Sequence, residues 1–200
     1  MTHAQLRRYQ CAPTHEPRPE ISIDMNRLLH IVAVLAAFTV AAGSARADAA
    51  TQREDQFKAA YVFNFVKFVA WPDTEATDTL TICFVGGDGV YAALTDGIAD
   101  KRAGARSLSA LKLSDVSSAD ICNALYIEAS MAQSYVLAPT QPMLTISDAA
   151  NFTAKGGMIG LFTENHRLRF VINVQNANQA GLHISSDLLK LAADVQRGPR

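Results

Sequence analysis

The strongest constraint on the fold is a continuous apolar run, TLTICFVG, at 79–86. Apolar residues occupy both alternating sets of positions, which predicts a strand that is buried on both faces. Such strands belong to parallel sheets that are covered by helices, and Gly86-Gly87 supplies the turn into a helix. Segments with strand and helix patterns then alternate along the chain. They predict a helix over 90–98, strands over 106–113, 123–129 and 142–148, and a helix over 131–138.

The last third of the chain changes from single strands to a predicted hairpin. Its two strands cover 158–164 and 168–174, around Asn165-His166. Two helices follow: one ends at Gly181, and the other covers 185–196, with Ser185 or Ser186 as its N-cap. The sequence therefore predicts a single layered α/β domain. Its sheet is mainly parallel and flanked by helices, with an antiparallel hairpin near the C-terminal part.

A long helix is predicted before the first strand. Thr51 and Glu54 have the spacing of a capping box, the segment QFKAAYVFNFVKFVAW follows helical spacing, and Pro72 is expected to end the helix. A helix that is apolar over most of its circumference is buried between layers or against a partner. Both interpretations remain open for its aromatic residues, and the residues predicted to contact a partner are Phe65, Phe68 and Trp71.

The first 47 residues are not expected to belong to this domain. Residues 1–24 have no periodicity and are interpreted as a mis-assigned extension, with translation starting at Met25. Residues 25–47 have the form of a secretory signal peptide, with Arg27, an apolar run and an A-x-A site that ends at Ala47. The alternative is a retained membrane anchor, but the run is shorter than the roughly 20 residues that a spanning helix needs. The mature domain would cover 48–200, without membrane insertion after cleavage.

Charge and motifs exclude several functions. The formal net charge is −1, with no basic run, so nucleic-acid binding is not expected. Gly86-Gly87-Asp88-Gly89 lacks a Walker lysine and is interpreted as a tight turn. No G-x-S-x-G motif and no metal-ligand spacing is present, so we expect no enzyme, no cofactor and no metal site.

Two pairs of residues are candidates for special roles. Cys83 and Cys122 form an even pair in an exported context, which favours a disulfide, and two buried thiols are the alternative. Arg167 and Arg169 alternate along a strand, so their guanidinium groups share one face and could bind an anion. The alternative for the arginines is a solvated face or ion pairs with nearby acids.

Four segments together resemble the YfiR family of periplasmic proteins (DUF4154), over about residues 54–192. They are FKAAYVFNFVKFVAWPD, LTICFVGGD, MLTISDAANFTAKGGMIGLF and RLRFVINVQNANQAGLHISSDLLKLA. The resemblance implies a non-catalytic α/β domain that represses an inner-membrane diguanylate cyclase by binding its periplasmic sensor domain, thereby lowering cyclic-di-GMP and biofilm formation. It also implies a homodimer and a disulfide at Cys83 and Cys122. The second cysteine pair of some members is missing, which favours a structural bond over a redox switch. A periplasmic sensor of small ligands, acting on another membrane signalling protein, is the alternative function.

Overall fold

The computed structural model describes residues 48–72, 78–132 and 141–198. The expected extension at 1–24 and signal peptide at 25–47 lie outside the described residues, as does the 133–138 part of the predicted helix. The elements in chain order are α1 (48–67), β1 (Val69–Ala70), β2 (Thr79–Val85), α2 (Asp88–Ile98), β3 (Arg102–Ala103), β4 (Arg106–Leu113), a 3-10 helix (Val116–Ile121), β5 (Ala124–Ile127), α3 (Ala129–Ala132), β6 (Leu144–Ser147), a 3-10 helix (Thr153–Lys155), β7 (Ile159–Glu164), β8 (Arg167–Asn173), α4 (Val174–Gln179), β9 (His183–Ile184), α5 (Ser186–Leu191) and β10 (Asp194–Gln196).

The main sheet of the described residues has eight strands in the order β10-β8-β7-β6-β5-β2-β4-β3. Most neighbouring pairs are parallel, and the antiparallel ones are β7 with β8 and β3 with β4. Asn165 and His166 form the turn between β7 and β8 with φ values of 49° and 59°, in the left-handed region that a tight hairpin turn requires. The predicted mixed α/β fold, mainly parallel with a late hairpin, is confirmed.

The two faces of the sheet bury different cores. Alternate residues of β2 point in opposite directions, so Ile82 and Phe84 join the larger core and Cys83 and Val85 the smaller one. Helices α1, α2, α4 and α5 cover the larger core. The two 3-10 helices and α3 cover the smaller core, on the opposite face. Side chains from both halves of the chain therefore meet on each face.

Both predicted ends of the first helix are wrong. Thr51 lies inside α1, because the helix already includes residue 48, so it is not an N-cap. At the other end the helix stops at residue 67, before Pro72. The Phe68 carbonyl accepts a hydrogen bond from the Ser185 amide at 2.9 Å, and Val69 pairs with Ile184 across the small β1–β9 sheet. Pairing with a distant strand thus replaces the last predicted helical turn.

The C-terminal segment confirms two predicted caps and corrects one helix. Gly181 follows α4 with a φ of 75°, and the Ser185 side chain accepts a hydrogen bond from the Leu188 amide at 3.2 Å. The helix predicted to continue through residue 196 ends at Leu191 instead. The chain then forms β10, because its backbone pairs in parallel with β8 and the Ala193 amide donates to the Phe170 carbonyl at 2.8 Å.

Candidate functional site

The strand order reverses at β2, where the carboxyl ends of β2 and β5 lie side by side. The chain passes from β2 to β4 on one side and then returns to β5 on the other side of β2. Ligands of open α/β sheets bind at such a reversal of strand order. Gly86 and Gly87 end β2 there with φ values of 73° and 65°, and a Cβ atom on Gly87 would lie 2.7 Å from the Tyr126 ring. The loop therefore needs glycine for its backbone conformation and for space.

A charged cluster fills this region from within the protein. The ammonium of Lys58 on α1 lies 2.7 Å from Oδ2 of Asp148 and 3.0 Å from Oε1 of Glu54. The other carboxylate oxygen of Asp148 accepts a hydrogen bond from the Ala129 amide at 2.7 Å. The side chains of Lys58 and Asp148 are only 13% and 16% exposed, so their ion pair is largely desolvated. This cluster fixes α1 to the carboxyl end of the sheet.

Three pKa shifts describe the electrostatics of the cluster. Burial alone would lower the pKa of Lys58, but hydrogen bonds to Asp148 and Glu54 outweigh burial and raise it. Burial raises the pKa of Asp55, helped by the nearby carboxylates and opposed by Lys58. Burial also raises the pKa of the Tyr126 hydroxyl. The cluster contains more carboxylates than its single ammonium, that of Lys58. Among the described residues, no group of three or more His, Cys, Asp or Glu side chains is arranged to hold a metal ion.

Cys83 and Cys122 are joined in a disulfide with a Cα–Cα distance of 5.9 Å. Cys83 lies in the middle of β2 and is fully buried, while Cys122 follows a 3-10 helix and is 6% exposed. The bond therefore ties this 3-10 helix to the centre of the sheet.

The structure corrects the proposed partner contacts on the first helix. Phe65 is fully buried and packs edge-on against Phe170, with ring centroids 5.0 Å apart. Trp71 is 9% exposed, and its indole N–H donates to the Asn123 carbonyl at 3.2 Å. Neither side chain offers a surface to a partner, because both are part of the core. Phe68 is 37% exposed and is the one member of the predicted set that remains at the surface.

The outward face of α1 carries a mainly apolar stripe that continues just past the end of the helix. It consists of Phe57, Ala60, Asn64 and Phe68, which follow one another at intervals of three or four residues and are all exposed. Phe57 is 56% exposed, which is unusual for a phenylalanine. Helical spacing alone does not separate the buried Phe65 from the exposed Phe57, whereas the exposed Lys67 marks part of the solvent side of the helix.

A cleft of about 360 Å³ lies between α1 and α2, beside this stripe. Small residues line much of it, including Ala60, Ala93 and Gly97. At its α1 side, Phe63 lies under two ammonium groups, those of Lys67 and Lys101, at 5.2 and 5.1 Å from the ring centroid. No carboxylate of the described residues forms an ion pair with either lysine. We call the stripe, the cleft and these two lysines the α1 surface.

Arg167 and Arg169 both lie on β8 and are exposed. The guanidinium of Arg169 is 3.9 Å from the carboxylate of Glu164, and Arg167 forms no ion pair with a described residue. Beside them, a cleft of about 540 Å³ lies against β7, β8 and β10, and Phe162 and Val171 contribute to its lining. Phe162, which lines this cleft, pairs with Arg169 across the hairpin. Anion binding by the two arginines remains a prediction.

These observations define a mixed α/β domain with an internal disulfide and surface clefts. The sequence model of the family described as YfiR/HmsC-like (DUF4154) matches residues 55–193. The chain therefore belongs to the YfiR/HmsC-like family, whose general role is periplasmic regulation.

Other comparisons add little. No curated protein matches the chain. A conserved domain protein from Vibrio cholerae O1 biovar El Tor is similar at 13% identity and a TM-score of 0.46, over 69% of this chain and 60% of that one. An ABC domain from Streptococcus pneumoniae in complex with L-Trp shows 12% identity and a TM-score of 0.38, over 58% and 54% of the two chains. Both scores are too low to support an argument. No helix among the described residues combines the length and the apolar character needed to cross a membrane.

Proposed function

We propose that this protein is a periplasmic repressor that binds the periplasmic sensor domain of an inner-membrane diguanylate cyclase. Binding would stabilise the inactive state of the cyclase, which lowers cyclic-di-GMP and biofilm formation. Membership of the YfiR/HmsC-like family supports a regulatory role without catalysis. The disulfide supports export, since such bonds persist in an oxidising compartment, and we propose that residues 25–47 direct that export.

The α1 surface is the observation that carries this proposal. It combines an exposed phenylalanine, a cleft with a floor of small side chains, and the two lysines that lack carboxylate partners among the described residues. Aromatic anchors dominate many protein interfaces, and complementary charge speeds association and excludes wrong partners. The matching partner surface would be an apolar helix with acidic residues at its edge, laid along the cleft.

The test measures intracellular cyclic-di-GMP in a deletion strain of the source bacterium. Complementation with the chain from Met25 should lower cyclic-di-GMP to the parental level. Complementation with Phe57→Glu should leave it at the deletion level, because a carboxylate on the stripe repels an acidic partner. Leu191→Glu is the matched control, since Leu191 is an exposed apolar residue on α5, at 68% exposure.

The outcomes separate the role from the surface. If deletion leaves cyclic-di-GMP unchanged while the parent expresses the protein, repression of a cyclase is excluded under those conditions. If Phe57→Glu represses as well as the parental chain, with equal periplasmic protein by immunoblot, the α1 surface is not the docking site.

A second candidate function is a sensor of small anionic ligands. It is favoured by the exposed Arg169, whose cross-strand neighbour Phe162 lines the 540 Å³ cleft. Inorganic phosphate and citrate are suitable probes, and a ligand at a hundredfold excess over its dissociation constant adds about 2.7 kcal/mol to the free energy of unfolding. Arg169→Gln should abolish the resulting rise in melting temperature, whereas Arg53→Gln, on the exposed side of α1, should not. A rise that sodium chloride at equal ionic strength reproduces would exclude a specific site.

A further inference from the structure

The cleft between α1 and α2 is elongated along both helices. A Cβ atom on Gly89, at the start of α2, would collide with the Asp55 carboxylate of α1. At the other end, the ammonium of Lys101, just after α2, lies 5.1 Å from the centroid of the Phe63 ring of α1. The two helices therefore run side by side in the same direction. The α1 residues that line the cleft lie within 56–64, a segment that covers about 12 Å of helix axis.

The cleft is apolar along its floor and positively charged at one end. Its floor is formed by Ala59, Leu94 and Ile98, which are all buried. Among the described residues, Lys101 is the one charged residue that lines it, and the ammonium of Lys67 lies over the same phenylalanine ring. The opposite end lies beside the carboxylate-rich cluster at the start of α2. This polarity suits an apolar molecule with one negative group, which the lysine end attracts and the other end repels.

Gly97 leaves the cleft open on its α2 side. It lies in the last turn of α2, although glycine is the least favourable helix residue apart from proline. Its φ is not in the left-handed region, so the backbone does not require glycine. A Cβ atom built there meets no neighbouring atom of the described residues within 4 Å, so packing does not require glycine either. Gly97 lies between Ala93 and Lys101 on the face of α2 that lines the cleft, so a long side chain there would enter the cleft.

We propose that this cleft binds a free medium-chain fatty acid. The carboxylate lies at Lys101 and Lys67, and the acyl chain lies between the two helices. An extended octanoate ion fits within the length of about 12 Å that the lining residues of α1 cover. The volume of about 360 Å³ is within the usual range for small-molecule pockets. Burial of the acyl chain supplies most of the affinity, and the two ammonium groups favour a carboxylate over a neutral head group.

The fatty-acid site is part of the α1 surface. A bound acyl chain fills the cleft along which the helix of a cyclase sensor domain would lie, so the fatty acid and this partner would exclude one another. That consequence rests on the proposed function, whereas the binding site itself does not. Direct binding to the purified protein therefore tests the site without a cyclase.

The experiment is isothermal titration calorimetry of the purified protein with octanoate, and with octanol as a neutral probe. Octanoate should bind at one site per chain, and more tightly than octanol. G97L should raise the dissociation constant of octanoate at least about tenfold, because the leucine side chain occupies the cleft. A92L adds the same side chain at an exposed position of α2 outside the cleft lining, so it should bind like the parental protein.

A charge variant separates the head group from the chain. The double variant K67Q/K101Q should raise the dissociation constant of octanoate at least about threefold and leave that of octanol unchanged. K155Q removes an exposed lysine outside the cleft lining and should change neither. G97L should melt no lower than the parental protein, because leucine is a better helix residue than glycine.

Nuclear Overhauser effects in the parental protein supply a readout that needs no variant. They should connect the octanoate chain to the methyl groups of Ala60 and Ala93, which line the cleft from opposite sides. Absence of binding up to about 1 mM octanoate would overturn the proposal. So would contacts to other residues alone, a G97L variant that binds as tightly as A92L, or octanol that binds as tightly as octanoate. None of these readouts involves cyclic-di-GMP, so a failure here is distinct from a failure of the proposed repression.

Discussion

Truncation of two phenylalanines on one helix should lower the free energy of unfolding by very different amounts. Phe65 is fully buried and contacts the Tyr61 and Phe170 rings, with centroids 5.7 and 5.0 Å away. Phe65→Ala removes this burial and leaves a cavity, so it should lower the free energy of unfolding by about 3–5 kcal/mol. Phe57 has less than half of its surface buried. Since full burial of such a side chain contributes about 1.5–3 kcal/mol, Phe57→Ala should cost about 1 kcal/mol or less.

The assay is equilibrium unfolding in urea, followed by the fluorescence of Trp71, the only tryptophan of the chain. Trp71 is buried in the same core as Phe65, so its emission should report loss of that core. The two variants should have similar m values, so that the midpoints report stability. In the cyclic-di-GMP assay the order should reverse: Phe57→Ala should weaken repression at full protein level, whereas Phe65→Ala should act only by reducing that level. Stability losses within about 1 kcal/mol of each other would refute the assignment of one residue to the core and the other to the surface.

Three further perturbations test the interior. Cys83→Ser and Cys122→Ser should each lower the free energy of unfolding by up to about 4 kcal/mol. The double variant should lose little more than either single variant, because all three lack the same bond, and additive losses in urea unfolding would contradict this. Lys58→Met should cost about 2–4 kcal/mol at pH 7 by leaving Asp148 buried without its partner, and a loss below 1 kcal/mol would show that the pair is effectively solvated. Asp55→Asn should stabilise the protein at pH 7 but not below about pH 3.8. Because the pKa of Asp55 is higher in the folded state than in the unfolded state, the folded state binds more protons at a pH between the two pKa values. The free energy of unfolding should therefore fall as the pH rises from about 3.8 through the folded-state pKa of Asp55.

The sequence predicted those elements whose signal is local. Strands β2 and β4 were located to within a residue, because apolar residues occupy both faces and glycine or charged turns bound them. The hairpin at Asn165 was predicted because asparagine tolerates the left-handed turn. The end of α1 and the strand β10 were missed for a common reason. Both segments have helical composition, but distant strands pair with their backbones, and no local pattern records that pairing.

The candidate site was less predictable than the fold. Helical spacing indicated that α1 is apolar over most of its circumference, but it did not show that Phe65 faces the sheet and Phe57 faces solvent. The ion pair of Lys58 with Asp148 joins residues 90 positions apart, and the strand order that brings them together cannot be deduced from the strands themselves. The disulfide was easier to predict, because the predicted mature domain, 48–200, contains only two cysteines.

The N-terminal helix is completed by the last part of the chain, and this affects how the protein folds. The hydroxyl of Tyr61 donates to the Leu168 carbonyl, 107 positions away, and Val69 pairs with Ile184. Contacts between such distant residues slow folding, because the ends of a long loop must meet first. A growing chain that has not yet reached β9 cannot form the β1–β9 pairing, so α1 stays without part of its packing until His183 and Ile184 have been added. A chain truncated before β9 should therefore be aggregation-prone.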